Sequence, residues 1–435
     1  VRKTLAVWPY FPIFVQQRQY GLPGGDSDNI VAALEQNDRV CEIDLFDISS
    51  SHLEKALAAM QEPFPALTRL EIRRKDDGDG TPPAVLDSFM DGSAPRLRYV
   101  DLTRVPFPGL ARLLSSTIHL VYLYLWKTPH SGYISPEAMI RCLSGLTRLE
   151  RFSLEFESPL SRPSNQERRR LPPPARSVLP SLTCFIFKGV SVYLEDLVAR
   201  FDAPLLDNLQ ITFFHQLIFD TPQLVQFINR TPNLKAPVEA RVIFSSGFVQ
   251  VTLTRPGETS PRGLGLGFTC GHSDWQLSSL AQVFSSSIPQ ALISTVEQLY
   301  IYESGFLEPR WQADIEDSQW LDVLNPFTAV KDLYLSQNFV SRIAPTLQEL
   351  VGERAIEVLP ALQCLFLEKH HPSGDVQEEI VKFVAARQLA EHPIAVSVWE
   401  REQDGELEAD GSSVTDGSLV VDGTSVVEDS SVVDD

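Results

Sequence analysis

The sequence predicts an α/β solenoid of strand–loop–helix units, and three observations predict it. The first is an apolar pattern, L-x-x-L-x-L, that recurs as Val40/Ile43/Leu45, Leu67/Leu70/Ile72, Leu97/Val100/Leu102 and Leu120/Leu123/Leu125. It continues at Leu149/Phe152/Leu154, Leu182/Phe185/Phe187 and Leu206/Leu209/Ile211, and returns at Val296/Leu299/Ile301, Val330/Leu333/Leu335 and Leu362/Leu365/Leu367. The first seven starts lie 27, 30, 23, 29, 33 and 24 residues apart, and the last three 34 and 32. The second observation is a helix signal between successive patterns. The third is composition: 43% hydrophobic and 22% charged residues are enough to pack a core. Leucine-rich repeats run to about 20–29 residues, so these units are long and irregular members. The fold class is therefore α/β, a leucine-rich-repeat solenoid with a curved parallel sheet on its concave side and helices and loops on its convex side.

Each unit ends in alternation, which puts its last two apolar residues on one face of a strand. Helix signals come next. Ser51-x-x-Glu54 reads as a capping box before Leu53, Ala56, Leu57 and Met60. Ser135-Pro136-Glu137 places a cap before a proline at the first helical position, and Thr221-Pro222 repeats the device. Further helices are expected from Asp274 through Phe284, from Asp317 through Leu324, and from Pro345 through Val351. The longest is expected over Gly374 to Leu389, with Val376, Ile380, Phe383 and Val384 on one stripe. The stretch after Leu234 breaks the rule, because Pro237 takes the next apolar station. Arg241–Phe244, Val249–Leu253 and Leu264–Thr269 read as three short strands with no helix between them.

These features divide the chain into an N-terminal cap segment (1–24), a first repeat block (25–233) and an irregular β insert (234–270). A second repeat block with its C-terminal cap (271–401) and a disordered acidic tail (402–435) complete it. Residues 400–435 hold twelve acids and one base, Arg401, which accounts for −11 of the chain's net charge of −20. Four hexapeptides there, starting at Asp410, Asp416, Asp422 and Glu428, are too polar to offset chain entropy. A second soft stretch, 159–177, carries Arg168-Arg169-Arg170 beside Pro172-Pro173-Pro174 and reads as an exposed loop.

The acidic balance argues against nucleic acid and anionic membranes as partners. The sequence has no run of 18 apolar residues and no signal-peptide layout. It starts at Val1, as expected of a fragment. Five scattered cysteines without a CxxC suit reduced thiols, so a cytoplasmic or nuclear location is expected. Gly263-Leu-Gly265-Leu-Gly267-Phe268 resembles a phosphate loop but lacks both the third glycine of a dinucleotide fingerprint and a Gly-Lys-Ser/Thr end. It reads as a strand. His370-His371 lacks the spacing of a helical metal pair. No G-x-S-x-G, H-E-x-x-H or EF-hand pattern occurs, so the expectation is a non-enzymatic protein with no cofactor, no metal and no catalytic residue.

One constellation points to binding. Tyr99, Tyr122, Tyr124, Trp126, Tyr300, Tyr302, Tyr334 and Phe366 fall between apolar stations and should line the concave face. Rigid aromatics are frequent binding anchors, and they also stabilise sheets as cross-strand ladders. Charged neighbours on that face include Glu42, Asp44, Arg69, Glu71, Asp101, Arg151, Glu155, Lys188 and Asp332. In the tail, Ser413, Ser425 and Ser431 each precede an acid by three residues and are candidate phosphorylation sites.

Leu5-Ala-Val-Trp8-Pro-Tyr-Phe-Pro12-Ile, Asp38-Arg39-Val40-Cys41-Glu42-Ile43 and Phe383-Val-Ala-Ala-Arg387-Gln-Leu-Ala-Glu-His392-Pro393 resemble segments of F-box leucine-rich-repeat proteins of mushroom-forming fungi. Tyr193-Leu-Glu-Asp-Leu-Val-Ala-Arg200 and Ala203-Pro-Leu-Leu-Asp-Asn-Leu209 are similar too. The resemblance implies a substrate-binding repeat region of a cullin–RING ubiquitin ligase, with an unidentified protein substrate on the concave face. A Skp-type adaptor would join only through an F-box upstream, since no segment before Val40 matches one. The alternative is a free-standing leucine-rich-repeat interaction scaffold with no ligase link.

Overall fold

The computed structural model describes residue 5 and residues 11–17, 27–76, 89–106, 109–159, 176–214, 220–255, 262–270, 275–304, 317–350, 354, 356–368 and 374–400. Trp8, the Arg168–Arg170 loop, His370-His371 and the tail with Ser413, Ser425 and Ser431 lie outside the described residues.

Among the described residues, fifteen strands form one sheet. They are β1 (Ile13–Gln17), β2 (Val40–Ile48), β3 (Arg69–Arg74), β4 (Tyr99–Thr103), β5 (Tyr122–Thr128), β6 (Arg151–Phe156), β8 (Cys184–Gly189) and β10 (Asn208–Phe214). The rest are β11 (Glu239–Phe244), β12 (Phe248–Thr254), β13 (Gly263–Thr269), β14 (Gln298–Glu303), β15 (Asp332–Leu335), β16 (Cys364–Glu368) and β17 (Ala395–Trp399). A separate pair, β7 (Ser177–Val178) and β9 (Phe201–Asp202), lies on the connections. The architecture is mixed α/β with repeated strand–helix units.

The repeated pattern has a direct physical basis. In Leu97/Val100/Leu102 all three residues are buried, as are their counterparts in every other unit. The first residue sits in the turn before the strand and the other two point to the helix side, where they join one core with the helices. Parallel pairing holds the units in step. The carbonyl of Thr68 accepts from the N–H groups of Arg98 (2.9 Å) and Tyr99 (3.2 Å). The carbonyl of Arg98 likewise accepts from Val121 and Tyr122, that of Val121 from Glu150 and Arg151, and that of Glu150 from Thr183 and Cys184. The ladder recurs in the second block, where Glu297 accepts from Lys331 and Asp332, and Lys331 from Gln363 and Cys364.

Strand order departs from sequence order once, as β10-β13-β12-β11-β14. After the helix Pro222–Arg230 the chain skips two places to β11, then returns through β12 to β13 beside β10. Both β11–β12 and β12–β13 are antiparallel, yet β13 runs parallel to β10 and β11 parallel to β14. An odd number of strands lets a meander enter a parallel sheet without reversing the later strands. The glycine-rich motif lies in this insert. Gly263 has φ +141°, and a Cβ there would sit 2.1 Å from the carbonyl oxygen of Leu253, whereas at Gly267 the nearest atom is 3.5 Å away. Gly263 is thus required by the close approach of two strands, not by a phosphate.

Helix starts show where tertiary contacts override local signals. Ser135 caps Pro136–Leu143 as expected, accepting from the N–H of Ala138 at 3.2 Å. The box at Ser51 does not form: the helix spans Ser50–Ala59, its cap position is Ser49, and no side chain caps it. The Thr221 hydroxyl instead donates to Ser287 Oγ at 2.8 Å. The helix Pro222–Arg230 is capped from the preceding helix, Ser191–Val198, whose Glu195 carboxylate accepts from Gln223 N–H (2.9 Å) and Leu224 N–H (2.7 Å). Pro345 does not open a helix either. It lies inside Gln337–Gln348, where Phe339, Val340, Ile343, Ala344 and Leu347 form the buried stripe. Packing of that stripe outweighs the one backbone bond that proline removes. In the last helix, Gly374–Leu389, Arg387 is fully buried and donates to the carbonyl of Leu362 at 3.0 Å, tying the helix to the preceding turn.

These contacts set two expectations for stability. Gly263→Ala should cost more than about 2 kcal/mol, while Gly267→Ala should stay within about 1 kcal/mol, as measured by urea melts. Glu195→Ala should cost about 1–2 kcal/mol by removing a charged cap shared between units.

Candidate protein-binding face

The strand face opposite the helices carries the candidate residues. Among the described residues, register shifts fall only between Ile13/Phe14, Leu45/Ile48 and Leu125/Thr128, and between them a single row crosses that face. Asp44, Glu71, Asp101, Tyr124 and Ser153 occupy it in the first block, and Arg241, Tyr300, Tyr334, Phe366 and Ser397 in the second. Tyr99 and Tyr122 are neighbours in the adjacent row, and Thr103 and Trp126 in the next.

The aromatics gather in two clusters. In the first, Tyr122 and Tyr124 stack with ring centroids 6.4 Å apart, Tyr124 and Trp126 stack at 5.9 Å, and Tyr99 lies tilted 5.7 Å from Tyr124. The Arg69 guanidinium sits 3.9 Å over the Tyr99 ring, a cation–π contact. In the second, Tyr300, Tyr334 and Phe366 stack almost parallel, with centroids at 4.1 and 4.4 Å. Trp399 meets Tyr300 and Tyr334 edge-on at 6.0 and 5.6 Å, and its indole N–H donates to the carbonyl of Leu335 at 3.2 Å. The rings of both clusters are half-buried, so one face of each assembly remains open to solvent. Tyr302 differs. It shares the parity of Tyr300 but is only 5% exposed.

Beside the first cluster lies a row of three carboxylates, Asp44, Glu71 and Asp101, on neighbouring strands and all buried. Like charges directly opposite destabilise a sheet unless compensated. Arg73 compensates two of them: its Nη2 lies 3.0 Å from Glu71 and 2.9 Å from Asp101. Arg69 reaches Glu71 at 2.6 Å, and the Thr103 hydroxyl donates to Asp101 at 3.2 Å. Burial dominates at Asp101 and, with the Glu71 charge, outweighs the Arg73 pairing, so its pKa is pushed up to about 6. The Tyr99 hydroxyl is raised by burial and then by the Asp101 and Glu71 charges. Burial also raises Tyr300, with its neighbour Tyr334 adding to the effect.

Three contributors are not evident from the sequence. Nothing local separates Arg73 from the charged stretch after it. Arg241, whose guanidinium lies 5.5 Å over Tyr300, sits in the insert, where the register is not legible. Trp399 ends β17, and the alternation Ala395, Ser397, Trp399 is the signal that could have found it.

Among the described residues, no group of three or more His, Cys, Asp or Glu side chains could hold a metal ion. No helix among them is long and apolar enough to cross a membrane. No family model matches the chain, and no curated protein matches it. Among solved structures, the leucine-rich repeat-containing protein LegL7 from Legionella pneumophila is similar at 13% identity, covering 86% of this chain and 97% of its own, with a TM-score of 0.32. The repeated strand–helix units and the sheet face opposite the helices define the class by fold alone: a mixed α/β architecture of leucine-rich-repeat-like units.

The Asp101 environment sets a pH dependence. An acid whose folded pKa lies above its unfolded value binds its proton better in the folded state. Its contribution is therefore fully present below about pH 4 and is lost as pH rises through about 6, a change of about 3 kcal/mol. The stability difference between wild type and Asp101→Asn should shrink by that amount between pH 4 and 7 in urea melts. A difference that grows with pH would mean that Arg73 governs the carboxylate instead.

Proposed function

We propose that this chain is a free-standing protein-recognition scaffold that holds a protein partner on its helix-free strand face. The observation that supports it is the pairing of two stacked, half-open aromatic clusters, Tyr99/Tyr122/Tyr124/Trp126 and Tyr300/Tyr334/Phe366, on one continuous face. Rings held by stacking lose little entropy on binding, which suits them as anchors. The neighbouring Arg69 and Arg73, paired with Glu71 and Asp101, give the first cluster a mixed-charge edge that would tune partner choice more than affinity.

A finer reading makes the same face the substrate site of an F-box subunit of a cullin–RING ubiquitin ligase. It rests on the resemblance of segments such as Asp38–Ile43 and Phe383–Pro393 to fungal F-box proteins. Retention of a Skp-type adaptor by the full gene product would support it, and loss of that retention on removing an upstream F-box would establish the link.

The scaffold reading is tested by selecting binders from a displayed random-peptide library on the full chain. Selected peptides should lose about 30-fold or more in affinity for the triple variant Tyr122→Ala/Tyr124→Ala/Trp126→Ala, or for Tyr300→Ala/Tyr334→Ala, corresponding to about 2 kcal/mol. Peptides that bind both variants as tightly as wild type, with only the melting temperatures lowered, would reduce the clusters to structural ladders.

A further inference from the structure

Among the described residues, the last strand is uncovered. Strand β17 pairs with β16 on one side and with no strand among the described residues on the other. The Ala395 N–H donates to the carbonyl of Gln363 at 2.8 Å. Parallel alternation then directs the backbone of Ala395, Ser397 and Trp399 toward β16 and leaves that of Val396 and Val398 pointing outward. The side chains of Val396 and Val398 continue the core row of Leu365 and Leu367, yet they are 46% and 65% exposed. Repeat arrays normally end in a polar cap, because an uncapped last unit exposes its core. Here, among the described residues, the core side of the last strand stays exposed.

The last helix repeats the asymmetry. On one flank of its buried stripe, Glu379 and Ala386 are half-buried, whereas Gln377, Val381 and Gln388 on the other flank are exposed and uncharged. We propose that β17 and this flank form a two-fold interface with a second copy of this chain, through antiparallel pairing of β17 with its mate.

The symmetry of the edge suits a second copy, and the two valines favour one register. Centring the two-fold on Ser397 places Val396 opposite Val398 of the mate and Val398 opposite its Val396. Those are the two residues whose N–H and C=O groups point outward, so four backbone hydrogen bonds form and no group is left over at the centre. The same register gathers four valines on the core side and continues both layers across the axis, strand to strand and helix to helix. Charge agrees. Ala395–Trp399 with Gln377, Val381 and Gln388 contains no charge, so no like-charge contact opposes a second copy within the paired strands and this flank. The chain's own C-terminal hexapeptides fit less well. Their valines are consecutive (Val420-Val421, Val426-Val427, Val432-Val433), so a strand of them would turn one valine of each pair to either face, against the alternation of Val396 and Val398.

The test uses the full chain. Sedimentation velocity should show a reversible dimer at tens of micromolar, with Val398→Pro a monomer of near-normal melting temperature. Proline at 398 removes only an outward-facing N–H, so the pairing with β16 survives. As a register-specific measurement, Ser397→Cys should give a disulfide-linked dimer under mild oxidation, because facing non-bonded residues in antiparallel strands bring their Cα atoms within disulfide range. That crosslink should be absent in wild type and in Ser397→Cys/Val398→Pro. A full-length chain that stays monomeric, with Ser397→Cys uncrosslinked, overturns the proposal. A full-length monomer that dimerises only after removal of 402–435 overturns it too, and assigns the edge to the tail.

Discussion

Strand pairing that keeps one row of residues continuous across the sheet is the constraint on which the rest of this structure depends. A one-residue slip between any two units would carry every later side chain to the opposite face. Two features hold the register. The alternating apolar pair of each strand must stay in the core, and the carbonyl before each strand accepts two N–H groups from the next unit. The meander shows how strict the constraint is. A three-strand insertion enters the middle of the sheet, and because its outer strands both run parallel to their neighbours, the row resumes at Arg241 and Tyr300 as if nothing had intervened.

Register also decides which residues can cooperate. Tyr300, Tyr334 and Phe366 come from units more than thirty residues apart in sequence, yet stack at 4.1 and 4.4 Å because they occupy one row. The same logic lines up Asp44, Glu71 and Asp101, which is unfavourable in itself and is tolerated through Arg69 and Arg73. Aromatics and guanidinium groups thus share the first block's face for a physical reason. The carboxylate row needs the cations, and the cations in turn find the tyrosine rings. A partner meeting this surface would encounter rigid rings beside guanidinium groups already paired with carboxylates.

Much of this is legible in the sequence, because the apolar stations and the capped proline at Ser135-Pro136 are local signals with a fixed period. The row of aromatic positions comes from the same alternation. The features that are not legible depend on distant partners. Glu195 caps a helix that begins 27 residues later, a task no local window assigns. Pro345 inside a helix, and Tyr302 buried despite its parity, are decided by tertiary packing. The strand order of the insert cannot be read locally, since three short strands permit several arrangements and only the neighbouring parallel edges select one.

The central claim is that one helix-free face, set by register, presents the aromatic clusters to solvent. Hydroxyl-radical footprinting of the full chain, read residue by residue by mass spectrometry, tests it most directly. The account predicts strong labelling of Tyr122, Tyr124, Trp126, Tyr334 and Phe366, and protection of Tyr302 and of Tyr193, which is buried in the core. Labelling of Tyr193 and Tyr302 as strong as that of Tyr122 and Tyr124, or protection of both clusters to the level of Tyr193, would contradict it.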